Sequence, residues 1–185
     1  MTRATPALSR RAVLASLLAL PLAGRAQAAA PREVVSGLPE ARLLGSGELR
    51  FLGLPIYDAR LWVGPGFDAA TPSAFPLALE LDYRRALDGG RIAERSLAEM
   101  QRVGGFSAAL GEQWLAAMRS LFPDVQRGDR LTGLFRPGQG LAFFFNARPI
   151  GELPDADFAR RFIGIWLAPE TSQPRLRRQL LGVAG

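Results

Sequence analysis

The stretch Gly47–Val63, Gly-Glu-Leu-Arg-Phe-Leu-Gly-Leu-Pro-Ile-Tyr-Asp-Ala-Arg-Leu-Trp-Val, decides how this chain is read. Leucine, isoleucine, valine and aromatic side chains dominate it, and Glu48–Val63 reads as one long strand. Gly53 and Pro55 bend that strand. Proline has no amide to give to a ladder, so the strand is bulged or locally unpaired there. Arg50 stands near its start, and Tyr57 and Trp62 mark its second half.

Downstream, residues 64–76 are a loop rich in Gly, Pro, Thr and Ser. Leu77, Leu79, Leu81 and Tyr83 then alternate with Ala78, Glu80, Asp82 and Arg84, the period of a strand with one buried face. Asp88-Gly89-Gly90 is a turn. Ile92, Leu97, Met100 and Val103 mark a helix that ends near Gly104-Gly105. Ser107 caps a second helix, with Leu110, Trp114, Met118 and Leu121 at helical spacing and Pro123 closing it. Arg130–Arg136 and Leu141–Ala147 form a hairpin around Pro137–Gly140. Within it, Phe143-Phe144-Phe145 is either a strand buried on both faces or one edge of an apolar pocket. Asp155 caps a helix that carries Phe158, Phe162, Ile165 and Trp166, and Pro174–Leu181 is a short basic helix. Upstream, Val34-Val35 and Ala41–Leu44 are short strands divided by Gly37 and Pro39. This order of elements specifies an α+β domain, a largely antiparallel sheet packed by helices on one face.

The N-terminus has a different character. Met1–Arg11 is basic and free of acid, Ala12–Ala23 is apolar, and Ala26-Gln27-Ala28 is a small-x-small cleavage pattern. Residues 1–28 read as a secretory signal peptide, with an apolar run shorter than the roughly 20 residues that span a bilayer. Ser9-Arg10-Arg11-Ala12-Val13-Leu14 resembles a twin-arginine signal, with Sec export as the alternative because Val13 stands where phenylalanine is commoner. The expected location is periplasmic or secreted. No cysteine follows the cleavage site, so no stable membrane anchor is expected. Cleavage leaves residues 29–185, enough for one domain with a single core.

Composition removes whole classes of chemistry. Of the 23 basic residues, all arginine, four lie in residues 1–28, which leaves 19 against 17 acidic residues and a net charge of +2. Nucleic-acid binding usually needs a concentrated basic patch; so small a net charge weakens that case, and no nucleic-acid partner is expected. The chain has no His, Cys or Lys. The usual zinc and iron–sulfur ligands are therefore missing, as are His-activated nucleophiles and Schiff-base lysines. The expectation is neither metal nor cofactor. Gly45-Ser46-Gly47 lacks the third glycine of a dinucleotide loop and does not open a helix.

Taken together, several motifs resemble the chalcone isomerase-like superfamily. Gly47–Val63 resembles its first long strand and Leu79–Arg85 its next. Gly128–Leu131, Pro137–Gly140 and Asn146 resemble its late hairpin, and Phe158–Leu167 with Leu176–Gly182 its closing helices. The resemblance covers nearly all of residues 40–182 and is nearest to a bacterial secreted branch. It implies an open-faced β-sandwich. It also implies an arginine near the start of the first strand, which can hold a carboxylate by two hydrogen bonds or stabilise an enolate-like oxygen. Counting back from Tyr57, that position falls on Leu49, with Arg50 beside it. Successive strand residues face opposite ways, so either a bulge near Gly53–Pro55 returns Arg50 to the pocket or Arg50 is a solvated strand residue. The fatty-acid-binding relatives place a ligand-holding tyrosine where this chain has Trp62, which offers an N–H donor or serves as a core aromatic. Tyr83 falls on the buried face, and with Tyr57 it completes the tyrosines of the chain.

These residues imply a protein that binds a small amphipathic carboxylate, such as a fatty acid, without catalysis. Arg50, Tyr57, Trp62 and Tyr83 are its expected ligand-binding residues. The alternative is an isomerase that cyclises a chalcone-like substrate, chemistry that positioning and a guanidinium can support.

Overall fold

The deciding stretch is most of a hairpin, not one strand. In the computed structural model, which describes residues 29–183, β1 (Arg42–Phe51) and β2 (Leu54–Val63) run antiparallel. The expected signal peptide lies outside the described residues. Phe51 faces Leu54 across the two-residue turn Leu52-Gly53, whose φ angles are 49° and 79°. Two positive φ values are the type I′ pattern, whose twist suits the flanking strands. Leucine is an unusual occupant of the first position, since a side chain there costs about 1–2 kcal/mol relative to a right-handed conformation.

Six strands make one sheet in the order β1-β2-β3-β4-β5-β6, and every neighbouring pair is antiparallel. β3 is Leu77–Tyr83, β4 Arg130–Arg136, β5 Gly140–Phe145 and β6 Arg148–Leu153. β6 was not expected from the sequence. It is an edge strand, where Pro149 can forgo a ladder bond, and its register slips opposite Phe143/Phe144. The helices α2 (Gly89–Val103) and α3 (Ala108–Leu121) interrupt the meander between β3 and β4. α4 (Ala156–Leu167) and α5 (Pro174–Leu181) follow β6. The caps are local and polar: Ser107 accepts from the Leu110 amide, and Asp155 from the amides of Asp157 and Phe158.

Period two along the strands sorts the side chains. Ala59, Leu61 and Val63 of β2, Leu77, Leu79 and Leu81 of β3, and Phe135, Leu141 and Phe143 share one face. They pack there against Met100, Met118, Phe158, Phe162 and Leu180 from the four helices α2 to α5. α5 lies directly on the backbone of β1. A Cβ at Gly45 would fall 2.1 Å from the Gln179 carbonyl oxygen, and one at Gly47 would meet the Leu176 and Gln179 side chains. Gly45-Ser46-Gly47 is therefore a seat for a helix.

The opposite face carries a smaller cluster of Trp62, Ala78 and Leu134. It is covered by α1 (Arg32–Gly37), where a strand was expected at Val34-Val35. Tertiary contacts override the β-branched pair. Val34 is fully buried in that cluster, and the Glu33 carboxylate accepts from Thr132 Oγ1 at 2.9 Å and Arg130 Nη2 at 3.2 Å.

Candidate functional site

A cavity of about 320 Å³ lies between the inner face of the sheet and the helices α2 and α4. That is the lower end of the size range of small-molecule sites. Leu49, Leu79, Leu81, Leu131 and Phe143 make its sheet wall, and Ile92, Phe162 and Ile163 its helix wall. Phe143 lines the cavity while Phe144 is only partly buried on the opposite face, so the pocket-edge reading of the phenylalanine run holds and the strand buried on both faces does not.

Few polar groups interrupt this apolar surface. Tyr57 and Tyr83 are cross-strand partners on β2 and β3, and both point inward. Their rings meet edge to face, 5.8 Å between centroids and 75° between planes. Trp166 of α4 donates its indole N–H to the Tyr57 hydroxyl at 2.9 Å. That leaves the Tyr57 proton unused, and no side-chain bond to the Tyr83 hydroxyl is formed among the described residues. Burial pushes both hydroxyls well above the usual tyrosine range. For Tyr57 the Trp166 bond opposes that rise in part, and for Tyr83 the neighbouring Tyr57 adds to it. Both therefore stand protonated at neutral pH and present O–H donors to the cavity.

The charged wall belongs to α2. Arg91, Arg95, Ser96 and Glu99 all border the cavity. Glu99 is 94% buried, being 6% exposed, and its Oε1 lies 2.5 Å from Arg95 Nη2. Its Oε2 is 3.5 Å from Arg102 Nε and accepts no hydrogen bond. Ser96 donates to the Ile92 carbonyl. Arg91 is exposed at the rim and has no carboxylate within ion-pair distance among the described residues.

Arg50 also reaches the rim. Leu49 pairs with Tyr57 but Arg50 pairs with Pro55, so Ile56 is an extra residue on β2. This bulge lets both Leu49 and Arg50 border the cavity. The Arg50 side chain is 57% exposed, with Nε 2.5 Å from Glu48 and Nη1 donating to the Gly53 carbonyl at 3.1 Å. Trp62 lies elsewhere. It sits on the opposite face under α1, and its indole N–H donates to Glu80 Oε2 at 2.7 Å, while Arg60 Nη1 donates to Glu80 Oε1 at 2.8 Å. The structure thus brings Arg50, Tyr57 and Tyr83 to one cavity and leaves Trp62 on the far side of the sheet.

Reasoning from sequence missed Glu99, Arg91, Arg95 and Trp166. One signal was available. Ser96 and Glu99 lie at helical spacing from Ile92 and Val103, polar residues on the otherwise apolar stripe of α2.

A family model described as chalcone isomerase-like matches residues 77–182. The chain belongs to the chalcone isomerase-like family. An uncharacterized protein of Haemophilus influenzae is 33% identical over 107 residues, 58% of this chain and 52% of that relative. The match spans about half the length of that curated relative. Among solved structures, a fatty-acid binding protein of Arabidopsis thaliana superposes with a TM-score of 0.58, covering 77% of this chain and 87% of that one. At 13% identity that likeness is one of fold. The chalcone isomerase-like sheet and helices are thus shared, while the cavity groups of this member must be read on their own residues.

Proposed function

We infer that this chalcone isomerase-like protein is exported and binds a small amphipathic carboxylate, a fatty acid of modest chain length, in the cavity between sheet and helices. The observation that carries the reading is the polarity of the cavity: apolar walls, two protonated tyrosines inside, and arginines at the rim. An alkyl chain gains about 0.8 kcal/mol per buried methylene on such walls. The headgroup stays at the rim, where Arg50 and Arg91 supply guanidinium donors. The Arabidopsis neighbour is itself a fatty-acid binding protein, which supports the same ligand class.

Glu48 competes with the ligand for Arg50, because both would occupy the same guanidinium edge. The test is a titration of a fluorescent fatty acid into the domain from Ala29 onward, with saturated acids of increasing length as competitors. Affinity should rise with length until the cavity is filled and then level or fall, and Glu48→Gln should tighten binding. No binding at any length, or no response to Glu48→Gln, Arg50→Ala and Arg91→Ala alike, would discard the carboxylate reading. Export is tested separately, by fractionating cells that produce the full chain and sequencing the N-terminus of the protein recovered. A mature chain that still begins at Met1 would count against it.

A further inference from the structure

The tip of the β1–β2 hairpin breaks two rules at once. Leu52 holds φ at 49°, where asparagine, aspartate or glycine would be unstrained, and it is 86% exposed. Its neighbours Phe51 and Leu54 are 61% and 54% exposed. Leu52 belongs to neither hydrophobic cluster, and with Phe51 and Leu54 it makes an exposed apolar point. Phe51 also borders the cavity, which makes the exposed tip continuous with the cavity mouth.

The tip is ringed by arginine. Arg50 precedes it. Arg84 follows β3 with its amide bonded to the Ile56 carbonyl, Arg85 is next in the chain, and Arg91 stands at the cavity mouth. Glu48 and Asp58 pair with Arg50 and Arg84, whereas Arg85 and Arg91 have no carboxylate within ion-pair distance among the described residues. Asp82 beside Arg84 and Asp88 at the Arg91 amide offset the other charge, and the unpaired guanidiniums of Arg85 and Arg91 are what a lipid phosphate would meet.

From these observations we propose that the Phe51–Leu54 tip is a membrane-docking point, which inserts into the surface of an anionic phospholipid bilayer and sets the cavity mouth against the lipid. A protein partner fits less well. Three side chains on a convex two-residue turn cannot cover the roughly 1,000 Å² that a specific protein interface needs. A bilayer surface asks only for a few apolar groups flanked by arginine. Docking rests on the hairpin alone. The consequence that an amphiphile passes between bilayer and cavity rests also on the ligand reading above.

The experiment is sedimentation of the domain from Ala29 onward with phosphatidylcholine vesicles, with and without a quarter of the lipid as phosphatidylglycerol. Leu52→Asn is the informative variant, because asparagine suits the turn while removing the apolar tip. Wild type should bind the anionic vesicles more tightly than the neutral ones. Leu52→Asn should lose about tenfold in partitioning, in line with withdrawing most of one leucine from lipid. Its melting temperature should be unchanged or higher, and its affinity for a soluble fluorescent fatty acid unchanged. In Leu52→Trp, the indole emission in excess of wild type should shift to the blue on adding vesicles and be quenched by brominated lipid, while the three native tryptophans of wild type are not. Failure of wild type to bind vesicles, equal binding by Leu52→Asn, or an unquenched indole would overturn the proposal. So would a dimer in solution that Leu52→Asn dissociates, which would assign the tip to self-association. Vesicle binding by a protein that takes up no fatty acid would keep the docking point and remove only the ligand reading.

Discussion

Alkaline titration offers an unusually clean probe of the cavity. The chain has no lysine, cysteine or histidine and only two tyrosines, both in the cavity wall. Between about pH 9 and pH 12 those two hydroxyls are the side chains left to titrate, since arginine stays protonated. In the unfolded chain each ionises near pH 10. In the folded chain burial raises both. A group whose folded pKa is raised contributes stability that is complete below its unfolded pKa and lost as pH rises toward the folded one. Above about pH 10 the unfolded state has released protons that the native state still holds, so stability falls by about 1.4 kcal/mol per pH unit for each tyrosine, or about 2.7 for the pair. A domain at the low end of ordinary stability, about 5 kcal/mol, loses its margin about two pH units above pH 10, while the native hydroxyls still hold their protons. Absorbance of phenolate near 295 nm and far-ultraviolet circular dichroism, followed together against pH, should therefore change in one coincident transition well above pH 10. That transition should be steeper than a single-proton curve. In concentrated urea both tyrosines should titrate near pH 10. Phenolate absorbance that develops near pH 10 with the circular dichroism intact would refute the burial argument, and with it the protonated donors assigned to the cavity.

Other expectations separate the two faces of the sheet. Trp62→Phe removes one of the two donors on Glu80 and should cost about 1–3 kcal/mol in urea denaturation, with fatty-acid affinity unchanged because Trp62 lies away from the cavity. Gly45→Ala would press a methyl against the carbonyls of Gln179 and Leu180, and should cost about 1–3 kcal/mol by displacing α5, read in the same denaturation. Arg50→Ala should weaken fatty-acid binding by about ten- to a hundredfold, the worth of a charge-assisted hydrogen bond, with little change in melting because the side chain is largely exposed.

Much of this architecture was legible because it depends on short-range pattern. The alternation from Leu77 to Tyr83 sets one face of β3 to the core, and that register also points Tyr83 inward. Ser107 and Asp155 announced helix starts that the structure keeps. What stayed hidden depends on contacts distant in sequence or on local rules broken. The β1–β2 turn lacks the Asn-Gly or Asp-Gly signal, since Leu52 occupies the strained position, so two strands read as one. Pro149 and Gly151 obscured β6, and Val34-Val35 masked a helix that Glu33 and Val34 pin to the far face. The charged wall escaped for another reason. Helical spacing tells that Ser96 and Glu99 face inward, but not that the interior they face is a cavity rather than packed side chains.

The two departures at the hairpin are linked. Strict alternation through β1 would place Leu49 and Arg50 on opposite faces, and an arginine one residue from the expected position would be lost to the cavity. Pro55 has no amide to hold a regular ladder, and the chain slips there, so that Ile56 goes unpaired between Leu49↔Tyr57 and Arg50↔Pro55. The slip keeps Leu49 in the wall and brings Arg50 and Phe51 to the rim together. It also carries the unfavourable Leu52 to the apex of a short turn. An arginine at the rim is thus the product of a local irregularity beside an apolar tip. Removing the irregularity should therefore move Arg50, even though its own side chain has not been altered. In Pro55→Val, restored pairing would turn Arg50 away from the mouth while Phe51, two residues beyond Leu49, keeps the cavity face, so the fatty-acid titration should weaken more than the vesicle sedimentation. A variant that keeps its fatty-acid affinity in full would show that the bulge does not set Arg50 at the rim.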